Sequence, residues 1–268
     1  MGFENEFGLA SGVLVDTSPE ATIAAAARAG FASVGLWIEP DAWTPGRVQA
    51  ARALLRDTGL KAIDAEVLRM RPGPIPDMQR RMIGIAAELG AANVLVVGTQ
   101  GEPAALAETY AALCREGEAH GVNIALEFML FSAVPTLAQA RAIVTAAASS
   151  AASLLIDPLH LDRAGHSPAE VAALPRQWLR YAQFCDAPAA HLPRDDHAAL
   201  LEEARDDRLL PGEGVLPLVA LLGALPPDLP LSVELRSRRL RETLPDPVER
   251  ARAVFTATSR FLSMAGRA

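Results

Sequence analysis

Cysteine is scarce in this chain. Of 268 residues only Cys114 and Cys185 are cysteine, far apart and in no metal-ligand spacing. That excludes a disulfide framework and leaves two free thiols, as expected in a reducing cytoplasm. Basic charge is not in excess either. The formal net charge is −7, with the acids spread along the chain. No nucleic-acid partner is expected, because phosphate binding needs a basic surface. Long apolar runs are missing too. The longest apolar-leaning stretch, between Arg141 and Asp157, is too short and too rich in Ser and Thr to span a bilayer, which takes about 20 residues. The start, Met1-Gly2-Phe3-Glu4-Asn5-Glu6, lacks the basic region and apolar stretch of a secretory signal. A cytoplasmic protein without a membrane partner is the expectation. No Gly-x-Gly-x-x-Gly turn follows the first apolar run, which disfavours a dinucleotide fold. No linker interrupts the chain, so residues 1–268 read as one domain.

Hydrophobic residues are abundant, at half of the chain, enough to bury a large core. Short apolar runs alternate with Ala-rich segments of helical period. The runs predict strands at Phe7–Ala10, Ser33–Trp37, Lys61–Glu66, Asn93–Val97, Asn123–Glu127, Ser153–Asp157, Arg180–Cys185 and Leu231–Leu235. From the second to the seventh they recur about every 30 residues, the length of one strand–helix unit. Most are continuously apolar, as strands covered on both faces are. Helix starts are marked by Thr17-Ser18-Pro19-Glu20, Thr44-Pro45, Thr136 and Ser167-Pro168-Ala169-Glu170, which combine caps, first-turn prolines and early acids. Gly30, Gly59, Gly90 and Gly121 each stand between a helix and the next strand, where a left-handed residue ends a helix. Eight such units predict an α/β fold, a closed (β/α)8 TIM barrel. The seventh unit carries a polar insertion from Ala187 to Arg208, read as a loop, with a new helix near Gly214. After the eighth strand, Arg236-Ser237-Arg238-Arg239-Leu240-Arg241 either faces anionic substrate groups or forms a solvated turn.

Four strand ends carry metal-capable groups in ordered succession: Glu127, Asp157, Gln183 and Glu234. One carboxylate at a strand end is ordinary. Four groups on successive strands of a barrel converge at one mouth. Three carboxylates there repel one another unless a cation is present. Hard oxygen ligands suit one Mg²⁺ or Mn²⁺, and His160, three residues beyond Asp157, brings in Co²⁺ or Zn²⁺. A small hydroxy-carbonyl substrate would then lose its α-proton, the metal would stabilise the enediolate, and a rim carboxylate would accept the proton. Glu127, Glu234 and His160 are the catalytic candidates. His160 is either oriented toward substrate or a structural donor. Glu66 is a proton carrier or a substrate hydroxyl partner, or else pairs with Arg69. Trp37, with Phe128, Met129 and Phe131, forms either a partly apolar pocket or plain rim packing. Glu213 orders its own loop or touches ligand. His191 and His197 face solvent, and His120 and His166 are peripheral.

With these residues the chain resembles the xylose isomerase-like TIM barrel superfamily, the sugar phosphate isomerases and epimerases. That family ends its fifth strand with a glutamate ligand, as at Ala125-Leu126-Glu127-Phe128. Its Asp-x-x-His motif is matched by Asp157-Pro158-Leu159-His160, with Asp a ligand and His on substrate. Its eighth strand ends in a ligand and acid/base, as at Leu231-Ser232-Val233-Glu234. Pro211-Gly212-Glu213-Gly214 is similar to its glycine-rich loop. On the seventh strand, many members have a His ligand followed by Lys-Asp. This chain instead has Gln183-Phe184-Cys185-Asp186-Ala187-Pro188, which resembles the 3-dehydroshikimate dehydratase branch. That resemblance implies Gln183 as a metal ligand and Arg208, or alternatively Arg205, as the grip on a substrate carboxylate. Histidines which that branch carries near strands three and four are absent here, as is the glutamate that ketose 3-epimerases place after strand five. The family also implies frequent homodimers. The leading expectation is a metal-dependent isomerase or epimerase of carbohydrate metabolism. The alternatives are a dehydratase (lyase) of a cyclic hydroxy-ketone acid and a barrel without catalysis that serves as a binding module. Five scattered histidines do not supply the three-zinc set of an endonuclease IV-type nuclease.

Overall fold

The computed structural model describes residues 6–189 and 192–266. Eight parallel strands close into a barrel in chain order. They are β1 (Phe7–Leu9), β2 (Ser33–Trp37), β3 (Lys61–Met70), β4 (Asn93–Gly98), β5 (Asn123–Glu127), β6 (Ala152–Ile156), β7 (Leu179–Phe184) and β8 (Leu231–Val233). The helices of the first five units are α1 (Pro19–Ala29), α2 (Pro45–Thr58), α3 (Asp77–Glu88), α4 (Pro103–His120) and α5 (Leu137–Ala147). After β6 come two short helices, α6 (Pro158–Arg163) and α7 (Pro168–Ala172). The seventh unit holds α8 (His197–Asp206) and α9 (Leu218–Ala224), and α10 (Arg238–Thr243) and α11 (Pro247–Ala265) follow β8. Among the described residues no helix is long and apolar enough to cross a membrane.

The expected punctuation sets these boundaries. Ser18, Thr44 and Thr136 accept backbone N–H bonds at the starts of α1, α2 and α5, and Ser167 with Glu170 forms a capping box on α7. Gly30, Gly59, Gly90 and Gly121 all have positive φ, between 69° and 97°, a region that costs a residue with a Cβ. Three expectations are corrected. β3 continues past Glu66 to Met70, because its register against β4 shifts between Ala65 and Leu68 and the chain resumes pairing. The polar stretch 187–208 is not all loop. Asp196 caps α8 there by accepting from Ala199 N, and Leu200 and Ala204 give that helix a buried face. The helix expected near Gly214 begins at Leu218.

Strand alternation divides the core in two. Val94, Val96, Leu126, Leu154, Ile156 and Phe184 join the large core under the helices. Ile63, Leu95, Val97, Ala125, Leu155 and Tyr181 pack together as a separate cluster, as the opposite face of the same strands must. Truncating a filler such as Leu155 to Ala leaves a cavity and costs about 2–5 kcal/mol. The barrel's ends are tied by β1–β8 pairing and by Arg250 of α11. Its buried guanidinium holds both Asp16 oxygens, at 2.6 and 3.0 Å, and keeps that carboxyl below its ordinary range. What remains for function is the rim, where the inward positions are charged.

Candidate active site

Five strands deliver the polar rim. Glu127 is the last residue of β5, Asp157 follows β6, Gln183 lies near the end of β7, Glu234 follows β8, and Glu66 faces the same mouth from within β3. Pro158 sits at the first position of α6, where no backbone N–H is needed. Asp157 therefore caps that helix, Oδ1 accepting from Leu159 N at 2.7 Å and His160 N at 3.2 Å. The short helix swings His160 back over the barrel, its Nε2 3.9 Å from Glu127 Oε1. Glu127, Asp157 and His160 each offer a ligand atom within 4.8 Å of the others, all buried.

Arg208 stands in the middle of this set. Nη1 donates to Asp157 Oδ2 at 2.6 Å and to Cys185 Sγ at 3.1 Å, and Nε donates to the Ala204 carbonyl at 2.9 Å. Nη2 lies 3.5 Å from His160 Nε2 and 3.6 Å from Glu234 Oε2. The guanidinium thus links Asp157 to Glu234 across the mouth. Gln183 is fully buried, and among the described residues neither its oxygen nor its nitrogen has a hydrogen-bond partner, nor has Glu127 Oε1. Unpaired buried polar atoms are costly, so an amide oxygen and a carboxylate oxygen are left free beside two further ligand types. Glu127, Asp157 and His160 together offer oxygen and nitrogen atoms that could hold a divalent cation; Glu234 is not part of that group.

Burial dominates the proton affinities. It pushes the Glu127 and Glu66 carboxyls well up, with the charges of Asp157 and Asp64 respectively adding to it. Glu234 is also raised by burial, against the pull of Arg208. For Asp157 burial works upward, but the Arg208 charge and hydrogen bond, with His160, outweigh it and hold the carboxyl low. Burial brings His160 down to about 4, so its imidazole is neutral at pH 7 and has a lone pair to offer.

Above these groups opens a cavity of about 490 Å³. Four arginines reach it, Arg69, Arg205, Arg208 and Arg236, along with Glu66, Glu127, His160 and Glu234. Trp37, Met129 and Phe131 supply its apolar wall. Asp157 and Gln183 do not line it.

Several sequence alternatives resolve. Glu66 makes no ion pair with Arg69; it accepts from Ser11 Oγ at 3.0 Å, while Arg69 stacks over Trp37 at 5.8 Å. Phe128 belongs to the helix-side core and not to the pocket. Glu213 pairs with Arg239 at the surface, at 2.6 Å. The arginine run divides. Arg238 and Arg241 pair with Asp206 and Arg239 with Glu213, while Arg236 alone of the four enters the cavity. His166 accepts from Leu137 N, His197 opens α8 and His120 ends α4. His191 lies outside the described residues.

Three features escaped the sequence reading. Cys185 contacts Arg208. Asp64 is fully buried with both oxygens unpaired, and burial raises its carboxyl to about 7; its same-face spacing with Glu66 was the available signal. Asp186 accepts from Ala187, Gly212 and Leu216 N, so it pins the glycine-rich loop and takes no part in the mouth.

Residues 23–258 match the family model described as xylose isomerase-like TIM barrel. Among curated proteins, the 3-dehydroshikimate dehydratase of Pseudomonas aeruginosa is 29% identical over 222 residues, covering 78% of this chain. The chain spans about a third, 34%, of that relative's length. A zinc-bound IolI protein superposes with TM-score 0.82 at 17% identity, over 97% of this chain and 99% of its own. A xylose isomerase-like TIM barrel/4-hydroxyphenylpyruvate dioxygenase fusion protein gives 0.79 at 21% identity, over 94% of this chain and 42% of its own. A D-allulose 3-epimerase from Methylomonas sp. gives 0.70 at 18% identity, over 97% and 100%. At such identities the solved structures speak to fold alone.

Proposed function

Because the chain belongs to the xylose isomerase-like TIM barrel family, we propose that its mouth holds one divalent cation and removes a proton beside the carbonyl of a small anionic hydroxy-carbonyl compound. The observation that carries this reading is the cavity itself. It sets four arginines around Glu127, Glu234 and His160, with unpaired oxygens of Glu127 and Gln183 at that end of the barrel. Arg208 is already paired with Asp157 and Glu234, but among the described residues Arg69, Arg205 and Arg236 make no ion pair, and a carboxylate or phosphate would give them one.

Glu127, Asp157, Gln183 and Glu234 would hold Mn²⁺, Mg²⁺, Co²⁺ or Zn²⁺, with His160 beside them. When bound, the ion supplies the positive charge that favours ionisation next to the carbonyl. The chain's own residues do the rest. Glu234 accepts the proton at its carboxylate. Glu127, at the end of β5, lines the same cavity. Neutral His160 orients a substrate hydroxyl. Arg208 fixes Asp157 with Nη1, while its Nη2 lies between His160 and Glu234 and could turn toward a substrate anion. Trp37, Met129 and Phe131 keep bulk water from the reacting carbon, and Glu66 partners a hydroxyl.

Two outcomes follow from one proton removal. Expulsion of a β-hydroxyl as water makes the protein a lyase; return of the proton makes it an isomerase or epimerase. The arginine-rich wall, Gln183 on β7, and the name of the 29% identical curated relative favour dehydration of a cyclic hydroxy-ketone acid. This reverses the order expected from sequence. Epimerisation keeps support from the two carboxylates, Glu127 and Glu234, that line one cavity. The test is to incubate metal-loaded protein with 3-dehydroshikimate in deuterated water. The lyase reading expects a new aromatic absorbance that Glu234→Gln removes. Deuterium in unconverted substrate, with no aromatic product, selects epimerisation. Neither signal, with the metal bound, overturns proton abstraction on this substrate class.

A further inference from the structure

A second cavity, of about 250 Å³, adjoins the first and shares Trp37 and Arg236 with it. It lies between the turn Ser11–Leu14, α1 and β2, walled by Leu14, Val15, Pro19 and Leu36. Three hydroxyls also line it, but each is already engaged. Ser11 donates to Glu66, Thr17 to the Leu14 carbonyl, and Thr22 to the Ser18 carbonyl. The surface left to a ligand is largely apolar, and Arg236 is the charged side chain on it. Arg236 Nε is buried with no hydrogen-bond partner, although the neighbouring Arg238, Arg239 and Arg241 are all paired with acids. Arg236 lines both cavities and among the described residues makes no ion pair, so its guanidinium stands where a ligand carbonyl would cross between them. Trp37 forms the partition, with Arg69 stacked over its ring and its Nε1 donating to Glu39 at 2.9 Å.

We infer that the compound bound at the mouth carries an apolar acyl or aryl arm, joined through an ester or amide carbonyl that accepts from Arg236, and that the arm occupies this second cavity. The inference rests on the anionic hydroxy-carbonyl reading of the mouth. It adds a substrate longer than a bare ring acid, and it assigns Val15, Leu36 and Arg236 to specificity. A planar aryl group suits a site edged by Trp37.

The experiment compares shikimate, an unreactive ring acid, with its positional mono-benzoyl esters by calorimetric titration of the purified, metal-loaded protein. At least one ester is expected to bind tenfold or more tightly than shikimate. Val15→Trp and Thr17→Phe, which fill the cavity from two sides, should each reduce that preference about tenfold, and Arg236→Met should reduce it as well. Circular dichroism checks that each variant is folded, and two separate filling positions guard against one being disruptive. If shikimate binds and no ester is preferred, or if filled variants keep the preference, the arm subsite is wrong and the mouth reading stands. If neither shikimate nor any ester binds, the mouth reading falls and takes the inference with it.

Discussion

Replacing Arg208 with Gln removes the one guanidinium that ties Asp157, Cys185 and Glu234 together. Both partners of the central pair are out of solvent, Arg208 at 2% and Asp157 at 0% side-chain exposure, and the contact is 2.6 Å. Removing one member of such a pair leaves an uncompensated buried charge, at a cost of about 3–5 kcal/mol. The lower end is expected. Glu127 and Glu234 already have raised proton affinities and can take up protons when the positive charge goes. In a chain of this size a loss of about 3 kcal/mol lowers Tm by roughly 6–12 °C. The assay is thermal and urea unfolding of metal-stripped protein at pH 7, for wild type, Arg208→Gln, Asp157→Asn and the double variant. The pair predicts a coupling energy of about 1–3 kcal/mol in that cycle. Arg208→Lys should restore little, because an ammonium cannot span Asp157, Cys185 and the Ala204 carbonyl together. Added Mn²⁺ or Zn²⁺ should raise the Tm of Arg208→Gln more than that of wild type. Strict additivity of the two substitutions, or a change within about 0.5 kcal/mol for Arg208→Gln, as at an ordinary surface site, would refute the reasoning.

Acid stability offers a second check. The Arg47 hydrogen bond lowers Glu20 from 4.5 to about 2, so this pair's contribution is complete above pH 4.5 and is lost as pH falls through about 2. Both side chains are about one third exposed, which keeps the contribution below about 1 kcal/mol. Unfolding curves of wild type and Glu20→Gln should differ at pH 6 and converge by pH 2. Gly214→Ala should cost about 1–3 kcal/mol, because a Cβ there would strike the backbone of Ala187 and the Asp186 carboxylate. Denaturant midpoints read that loss, and an unchanged midpoint would remove the packing explanation for the glycine-rich loop.

The barrel was legible because its signals are local and repeated. A cap, a proline and a terminal glycine in each unit fix a helix without reference to anything distant. The metal-capable rim was legible for a related reason. Glu127, Asp157 and Glu234 stand at strand ends, and parallel closure brings strand ends to one face. Long-range pairing was not legible. Arg250 reaches Asp16 from the far end of the chain, and no spacing rule connects them. Which of four consecutive-looking arginines enters the cavity depends on α8, whose Glu202 and Asp206 capture Arg238 and Arg241; that helix was read as loop. For Glu66 the sequence leaves an ion pair with Arg69 open beside other roles; the structure gives it Ser11 instead, and Arg69 stacks over Trp37.

The central claim, that the barrel mouth is a single divalent-cation site, is tested most directly by titrating metal-stripped protein with Zn²⁺ or Mn²⁺ in a calorimeter, alongside Glu127→Gln and Gln183→Leu. One equivalent should bind the wild type, with affinity falling at least tenfold in Glu127→Gln and measurably in Gln183→Leu. No saturable binding, or binding that neither substitution weakens, would contradict it.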